Sequence, residues 1–231
     1  MSLRPLAAGG AGGIRFMQGK ALVSEFIGTF TLIFVGAGTA QISGSLVAAA
    51  FAFGLVVTTF VFAYGSYSGT HINPAVTIGL LAGGQIKLGD AIGYILVQLL
   101  GGIVGAATLF YVLGDSAGAM GATVPAAGVG IGQAFVLELF LTFLLVNAIY
   151  HAAVSGKAGD FAPIAIGAML TACILVGGPL TGASLNPARS LGPALFSDAS
   201  NAISSLWIYF VACPLGGVLA ALVHKFFSSE E

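Results

Sequence analysis

The chain has 231 residues, of which 58% are hydrophobic and 6% are charged, and its formal net charge is −1. This composition excludes an ordinary water-soluble domain, which keeps about 25% charged residues, and the small net charge excludes electrostatic recognition of nucleic acid. The two cysteines, Cys173 and Cys213, lie in separate apolar runs without paired spacing. We therefore expect both to be buried, and we expect no disulfide framework, no metal site and no cofactor.

The N-terminal residues 1–19 are rich in Gly and Ala and lack the continuous apolar core of a signal peptide. We expect them to form a flexible cytoplasmic tail, with residues 228–231 forming a second one. A membrane-crossing helix needs about 20 mainly apolar residues. Six segments between the tails meet this requirement: 20–42, 46–67, 90–112, 131–153, 161–178 and 203–226. The prediction is an all-α integral membrane protein with a single domain over 20–227.

Two further apolar stretches, 74–83 and 187–196, are too short to cross a membrane. Ten helical residues extend about 15 Å, which is half of a hydrocarbon core of about 30 Å. Each stretch follows an Asn-Pro pair, and Asn is a strong N-cap residue while Pro suits the first helical position. Asn73 and Asn186 are therefore predicted to begin two re-entrant half-helices.

The chain contains an internal repeat. Glu25 and Glu138 lie 113 positions apart, and "SGTHINPAV" at 68–76 returns at the same distance as "TGASLNPAR" at 181–189. Repeat one covers about 20–112 and repeat two about 131–227, with three spans in each. Since three is odd, the second copy enters the membrane from the opposite face, so the half-helices meet head to head at the midplane.

The distribution of basic residues predicts the orientation of the chain. With the N-terminus inside, six Lys and Arg residues fall in cytoplasmic segments, as the positive-inside rule requires: Arg4, Arg15, Lys20, Lys87, Lys157 and Lys225. Arg189 is the exception, and it belongs to the second half-helix. We expect a multi-pass protein of the cell membrane with both termini in the cytoplasm.

The two asparagines suggest a chemistry at the midplane. Their side-chain oxygens cap the half-helices, and their NH₂ groups remain to face a pore, where a water molecule must accept hydrogen bonds from both. That orientation interrupts a proton-conducting chain of waters, and the converging helix dipoles repel cations. Irregular backbone at this depth lines a water-filled cavity, so Thr70, His71 and Ser184 are predicted to line the pore, with loop bracing as the alternative for His71.

Three charged residues within the membrane need a reason. A charge at the bilayer centre costs about 2.5–3.5 kcal/mol on insertion scales, so Arg189 is interpreted as a functional donor that binds solutes and repels cations. Glu25 and Glu138 are predicted to accept hydrogen bonds from unpaired N–H groups of the two broken loops. The alternative for these carboxylates is a proton relay.

The boxes "NPAVT" at 73–77 and "NPARS" at 186–190, with "EFIGTF" at 25–30, resemble the signature of the aquaporin, or major intrinsic protein, family. The resemblance extends from Lys20 to Phe227. It implies a right-handed bundle of six spanning and two half-spanning helices. It also implies a homotetramer with one pore in each subunit.

The resemblance also implies an outer selectivity filter made of Phe53, Ile174, Ala183 and Arg189. Strict bacterial water channels usually carry His at the position of Ile174, so this set is closer to the plant tonoplast group, whose members often pass urea or ammonia beside water. Glycerol facilitators carry Asp after the second-box Arg and a basic residue four positions later. Ser190 and Ala194 are instead the water-type pair.

We therefore expect a passive channel for water, with urea, ammonia, hydrogen peroxide and glycerol as further candidate solutes, that excludes protons and ions. One alternative is a facilitator for glycerol or metalloid hydroxides with water secondary. Another is an ion-coupled transporter, which would need a carboxylate at the midplane boxes. A structural junction protein would show negligible permeability, and no Ser/His/Asp grouping supports an enzyme.

Overall fold

A computed structural model describes the backbone of residues 11–229 and the side chains of residues 18–229. Within these residues the regular secondary structure is helical. The elements are α1 (Ala11–Thr31), a π-helical segment Leu32–Ala37, α2 (Gly38–Ser43), α3 (Leu46–Ser68), α4 (Pro74–Ala82), α5 (Leu88–Leu113), α6 (Ile131–Ile149), a π-helical segment Tyr150–Val154, α7 (Ala162–Thr181), α8 (Pro187–Ala194) and α9 (Leu206–Ser228). Helix α1 thus begins inside the predicted N-terminal tail, and residues 1–10 and 230–231 of the two tails lie outside the described residues.

Six helical segments are long and apolar enough to cross a membrane: Gln18–Ser43, Leu46–Ser68, Leu88–Ser116, Ile131–Val154, Gly159–Thr181 and Leu206–Ser228. They confirm the six predicted spans. Their outer faces carry large exposed apolar side chains such as Val47, Leu96, Val176 and Leu222. Helices that are apolar on all sides belong in a bilayer.

The short helices α4 and α8 begin at the two Asn-Pro pairs. Asn73 has extended backbone angles and its side-chain oxygen accepts the N–H of Ala75 at 2.8 Å. Asn186 caps α8 in the same way, accepting the N–H of Ala188 at 2.9 Å. The sequence prediction of two capped half-helices is therefore confirmed.

The two repeats interlock through the half-helices. Helix α4 of the first repeat packs mainly against α9 of the second, and α8 packs mainly against α5 of the first. Glycines permit this close approach: a Cβ on Gly79 would lie 2.8 Å from the carbonyl oxygen of Gly217, and one on Gly102 would lie 2.8 Å from that of Ala188. Small residues at such crossings let helix backbones touch.

Equivalent residues in the third span of the two repeats lie farther apart in the sequence than equivalent residues in the earlier spans. Gly101 and Gly216 lie 115 positions apart and oppose Phe26 and Leu139, which lie 113 apart. The segment from Asn186 to Gly216 is therefore two residues longer than its counterpart from Asn73 to Gly101. This shift conceals the third span from a search at one fixed distance.

Candidate functional site

One cavity is lined by residues from both repeats. Its lining includes every residue that the sequence predicts for a pore: Phe53, Thr70, His71, Asn73, Ile174, Ala183, Ser184, Asn186 and Arg189. Apolar side chains such as Val57, Leu145 and Leu170 form much of the remaining wall. A wall of this kind binds polar solutes weakly, so the polar groups stand out as a short series of hydrogen-bonding positions.

The two asparagines tie the repeats together at this cavity. The Nδ2 of Asn73 donates to the carbonyl oxygen of Leu185 at 2.8 Å, and the Nδ2 of Asn186 donates to that of Ile72 at 3.0 Å. An amide NH₂ has two hydrogens, so each asparagine keeps one for the cavity. The sequence prediction places both NH₂ groups in the lumen. In the structure, one hydrogen of each NH₂ group bonds the opposite loop, and the other is left for the lumen.

The loops that precede the half-helices hold an unusual backbone. Thr70, Ile72, Ala183 and Leu185 have positive φ angles of 51°, 43°, 43° and 53°. Such angles are uncommon for residues other than glycine, and they are strained for β-branched side chains. A strained backbone persists only where its surroundings fix it firmly.

Glu25 supplies that support in the first repeat. Its carboxylate accepts the backbone N–H of His71 at 2.8 Å and of Ile72 at 2.5 Å. The hydroxyl of Ser68 and the amide of Gln98 donate to it at 2.7 and 2.8 Å. Four donors thus surround a carboxyl group that is fully buried.

Glu138 occupies the same place in the second repeat. It accepts the N–H groups of Ser184 and Leu185, both at 2.9 Å, and the hydroxyl of Thr181 at 2.6 Å. The thiol of Cys213 lies 3.6 Å from the carboxylate in the position that Gln98 takes in the first repeat. Since donors from the loops and the neighbouring helices surround both carboxylates, they fit the bracing interpretation better than the proton relay.

Arg189 is buried beside the predicted filter residues. Its Nη1 donates to the carbonyl oxygen of Gly121 at 2.7 Å, and its guanidinium carbon lies 4.8 Å from the centroid of the Phe53 ring. A cation over an aromatic face is attracted to it, so Phe53 and Gly121 hold the guanidinium from two sides. The remaining N–H groups of the arginine are left for the cavity.

Several residues that build this site carry no local sequence signal. Tyr94 and Tyr209 donate to the carbonyl oxygens of Ser68 and Thr181 at 3.0 and 2.8 Å, where the re-entrant loops begin. Gln98 and Cys213 complete the two carboxylate environments. Tyr94 and Tyr209 lie 115 positions apart, so a repeat search that allowed a two-residue shift would have found them.

Comparisons with known proteins agree with this architecture. The sequence model of the major intrinsic protein family matches residues 14–224. A glycerol uptake facilitator protein-like 6 from Lactiplantibacillus plantarum is 42% identical over 92% of this chain and 100% of its own length. A probable TIP-type aquaporin from Medicago truncatula is 42% identical over 89% of this chain and 86% of its own. The X-ray structure of the aquaglyceroporin from Plasmodium falciparum superposes with a TM-score of 0.80 at 26% identity, covering 90% and 96% of the two chains.

Proposed function

The chain belongs to the major intrinsic protein family, and we propose that it is a passive membrane channel whose main solute is water. The observation that carries this function is the meeting of Asn73 and Asn186 at one cavity, where each keeps an N–H for a solute. The likeness to a protein named as an aquaporin supports water as that solute.

The donors at the centre of the cavity explain how water passes while protons do not. A water molecule there accepts from both asparagines, so its own hydrogens point away from the midplane in both directions. Neighbouring waters cannot then relay a proton through the centre, and the N-terminal ends of α4 and α8 raise the barrier to cations. Arg189 adds a fixed positive charge.

The channel is passive because its walls offer no coupling site. Of the described residues that line the cavity, none is Asp or Glu. Glu25 and Glu138 lie outside it and are occupied by loop donors. An ion-coupled transporter would need a carboxylate at the midplane, so the geometry disfavours that alternative.

The filter made by Phe53, Ile174, Ala183 and Arg189 admits small neutral solutes beside water. Ile174 presents a hydrocarbon wall, and Ala183 leaves room beside it. We propose urea, ammonia, hydrogen peroxide and glycerol as secondary solutes.

A glycerol or metalloid hydroxide facilitator is the second candidate function, and the likeness to a glycerol uptake facilitator favours it. Ser190 weighs against it, because its hydroxyl is buried and bonded to those of Thr123 and Ser184 at 2.7 and 2.6 Å. This hydroxyl network occupies the position at which, by the family resemblance, glycerol facilitators carry an Asp.

Location and assembly complete the proposal. We place the channel in the cell membrane with both termini in the cytoplasm, because the loop cations Lys87 and Lys157 lie on the side of the termini. Family resemblance supports a homotetramer with one pore per subunit.

Stopped-flow light scattering on proteoliposomes tests the function. Vesicles with the protein are shrunk osmotically with water as the only permeant, and then with glycerol, urea or ammonia as a second permeant. We expect fast water efflux relative to protein-free vesicles and slower solute entry. Solute entry that equals or exceeds water flow would favour the facilitator, and rates equal to those of protein-free vesicles would reject a channel.

A further inference from the structure

His71 lines the cavity, and one of its two ring nitrogens contacts another side chain of the protein. Its Nδ1 lies 3.1 Å from the hydroxyl oxygen of Thr77. The ring packs edge-on against Tyr94, with 5.1 Å between the centroids. Nε2 is therefore the nitrogen that remains for a solute, and its character as donor or acceptor depends on which tautomer the protein selects.

The hydrogen bonds around Glu25 determine how the Gln98 amide is oriented. Both carboxylate oxygens of Glu25 accept backbone N–H groups, from His71 and Ile72, and the NH₂ group of Gln98 donates to Oε2 at 2.8 Å. The same NH₂ group lies 3.0 Å from the hydroxyl oxygen of Thr77. Since its first hydrogen bonds Glu25, its second is donated to Thr77, which accepts.

The Thr77 hydroxyl then has one hydrogen and one lone pair left. Two oxygens lie in reach of its hydrogen, the carbonyl oxygen of Asn73 at 3.1 Å and the amide oxygen of Gln98 at 3.4 Å. The nearer one takes the hydrogen, in a back-bond that helical threonines commonly make. Its second lone pair faces Nδ1 of His71. We infer that Thr77, oriented by Gln98 and Glu25, holds His71 as the Nδ1–H tautomer, so that the lone pair of Nε2 faces the cavity as an acceptor.

The consequence for conduction rests on the proposed water channel. Water at Asn73 and Asn186 points its hydrogens away from the midplane, so the waters that follow need acceptors to continue that orientation. His71 precedes Asn73 by two residues and supplies such an acceptor. The opposite tautomer would present an N–H at Nε2. The adjacent water would then have to accept a hydrogen bond from His71, which reverses its orientation and hinders the passage of water through the pore. Thr77 and Gln98 are thus positioning residues for the pore.

The second repeat provides an internal control. At the positions 113 residues later, Ser184 replaces His71 and Ser190 replaces Thr77, and their hydroxyl oxygens lie 2.6 Å apart. No ring tautomer has to be selected there. A change at Ser190 removes the equivalent hydroxyl without touching the His71 network.

Nitrogen-15 NMR on histidine-labelled protein in lipid bilayers tests the tautomer directly. The chain has three histidines, and the signals of His71 are those absent from a His71→Asn variant. Protonated and unprotonated imidazole nitrogens resonate in separate regions. We expect a protonated Nδ1 and an unprotonated Nε2 for His71 in the wild type, and the same result in Thr77→Ser and Ser190→Ala. A protonated Nε2 in the wild type would overturn the inference, and a folded His71→Asn protein is needed only to assign the signals.

Thr77→Val removes the hydroxyl at nearly constant volume and is the decisive variant. We expect a mixture of both tautomers and about a threefold loss of water permeability, equivalent to about 0.7 kcal/mol of barrier. An unchanged Nδ1–H spectrum in folded Thr77→Val would show that Thr77 does not select the tautomer. If the wild type passes no water, the proposed function is rejected but the tautomer inference is not. The spectrum reports the tautomer whether or not the channel conducts.

Discussion

The two halves of the molecule repeat the same frame but place different chemistry on it. In each half a buried glutamate accepts two loop N–H groups and one hydroxyl, and an asparagine caps a half-helix. The chemistry around that frame differs, since the first half uses Gln98 and His71 where the second uses Cys213 and Ser184. The scaffold is therefore symmetric, and selectivity arises from the substitutions made on it.

The predicted filter shows the difference most clearly. Each of its members has a counterpart 113 positions away that also lines the cavity: Ile166 for Phe53, Val61 for Ile174, Thr70 for Ala183 and Val76 for Arg189. The two sets thus occupy equivalent positions of the two repeats, and Arg189 is the cation among these eight residues. A positive charge at one end is enough to repel cations from the whole path, because every solute must pass it.

The largest expected effect comes from breaking the shared frame. We expect Glu25→Gln and Glu138→Gln each to lower the free energy of unfolding by about 2–3 kcal/mol, because a side-chain NH₂ replaces an acceptor and leaves a buried backbone N–H unpaired. Thermal unfolding in one detergent measures both. A loss confined to one variant would show that the two braces are not equivalent.

The next largest effect is expected when Arg189 is replaced by the residue type found at its equivalent position in the first repeat. Arg189→Val copies Val76 and removes the fixed charge, and we expect proton or cation leakage to rise by about tenfold or more, equivalent to about 1.4 kcal/mol of barrier. A pH-sensitive dye inside proteoliposomes, under a potassium diffusion potential, records the leak. Val76→Ala is the matched control at the other end. Equal leakage in Arg189→Val and wild type would remove Arg189 from the filter.

A smaller effect is expected at Ile174. Ile174→His adds a polar ring that competes for the passing solute, so we expect urea and glycerol permeability to fall by about threefold relative to water, or about 0.7 kcal/mol of barrier. Stopped-flow scattering gives the ratio. Val61→Ile, at the equivalent position of the other half, is expected to preserve it. If the ratio in Ile174→His stays at the wild-type value, Ile174 does not lie at the constriction.

The smallest effect is expected at the weakest bracing contact. A thiol is a weak donor, and the Cys213 sulfur lies 3.6 Å from Glu138. We expect Cys213→Ala to lower the free energy of unfolding by about 0.5 kcal/mol or less. A loss as large as that of Glu138→Gln would mean that the thiol is as important to the second brace as the carboxylate itself.

The spans, the half-helices and the asparagines could be predicted because their signals are local. Twenty apolar residues indicate a span, and Asn-Pro indicates a helix start, without knowledge of the rest of the chain. The partners of Glu25 and Glu138 depend on packing between helices that are distant in the sequence. Gln98 and Cys213 could therefore not be predicted as those partners. The contact between Arg189 and the carbonyl oxygen of Gly121 is equally invisible, because every residue offers such an oxygen.

Water flux under graded osmotic gradients is the most direct test of the account. Proteoliposomes with the wild-type protein are measured by stopped-flow light scattering, with and without an imposed sodium or proton gradient. A passive pore predicts water flux that rises linearly with the osmotic gradient and ignores the ion gradients. Flux that saturates, or that appears only when an ion gradient is present, would contradict the channel that Asn73 and Asn186 are proposed to form.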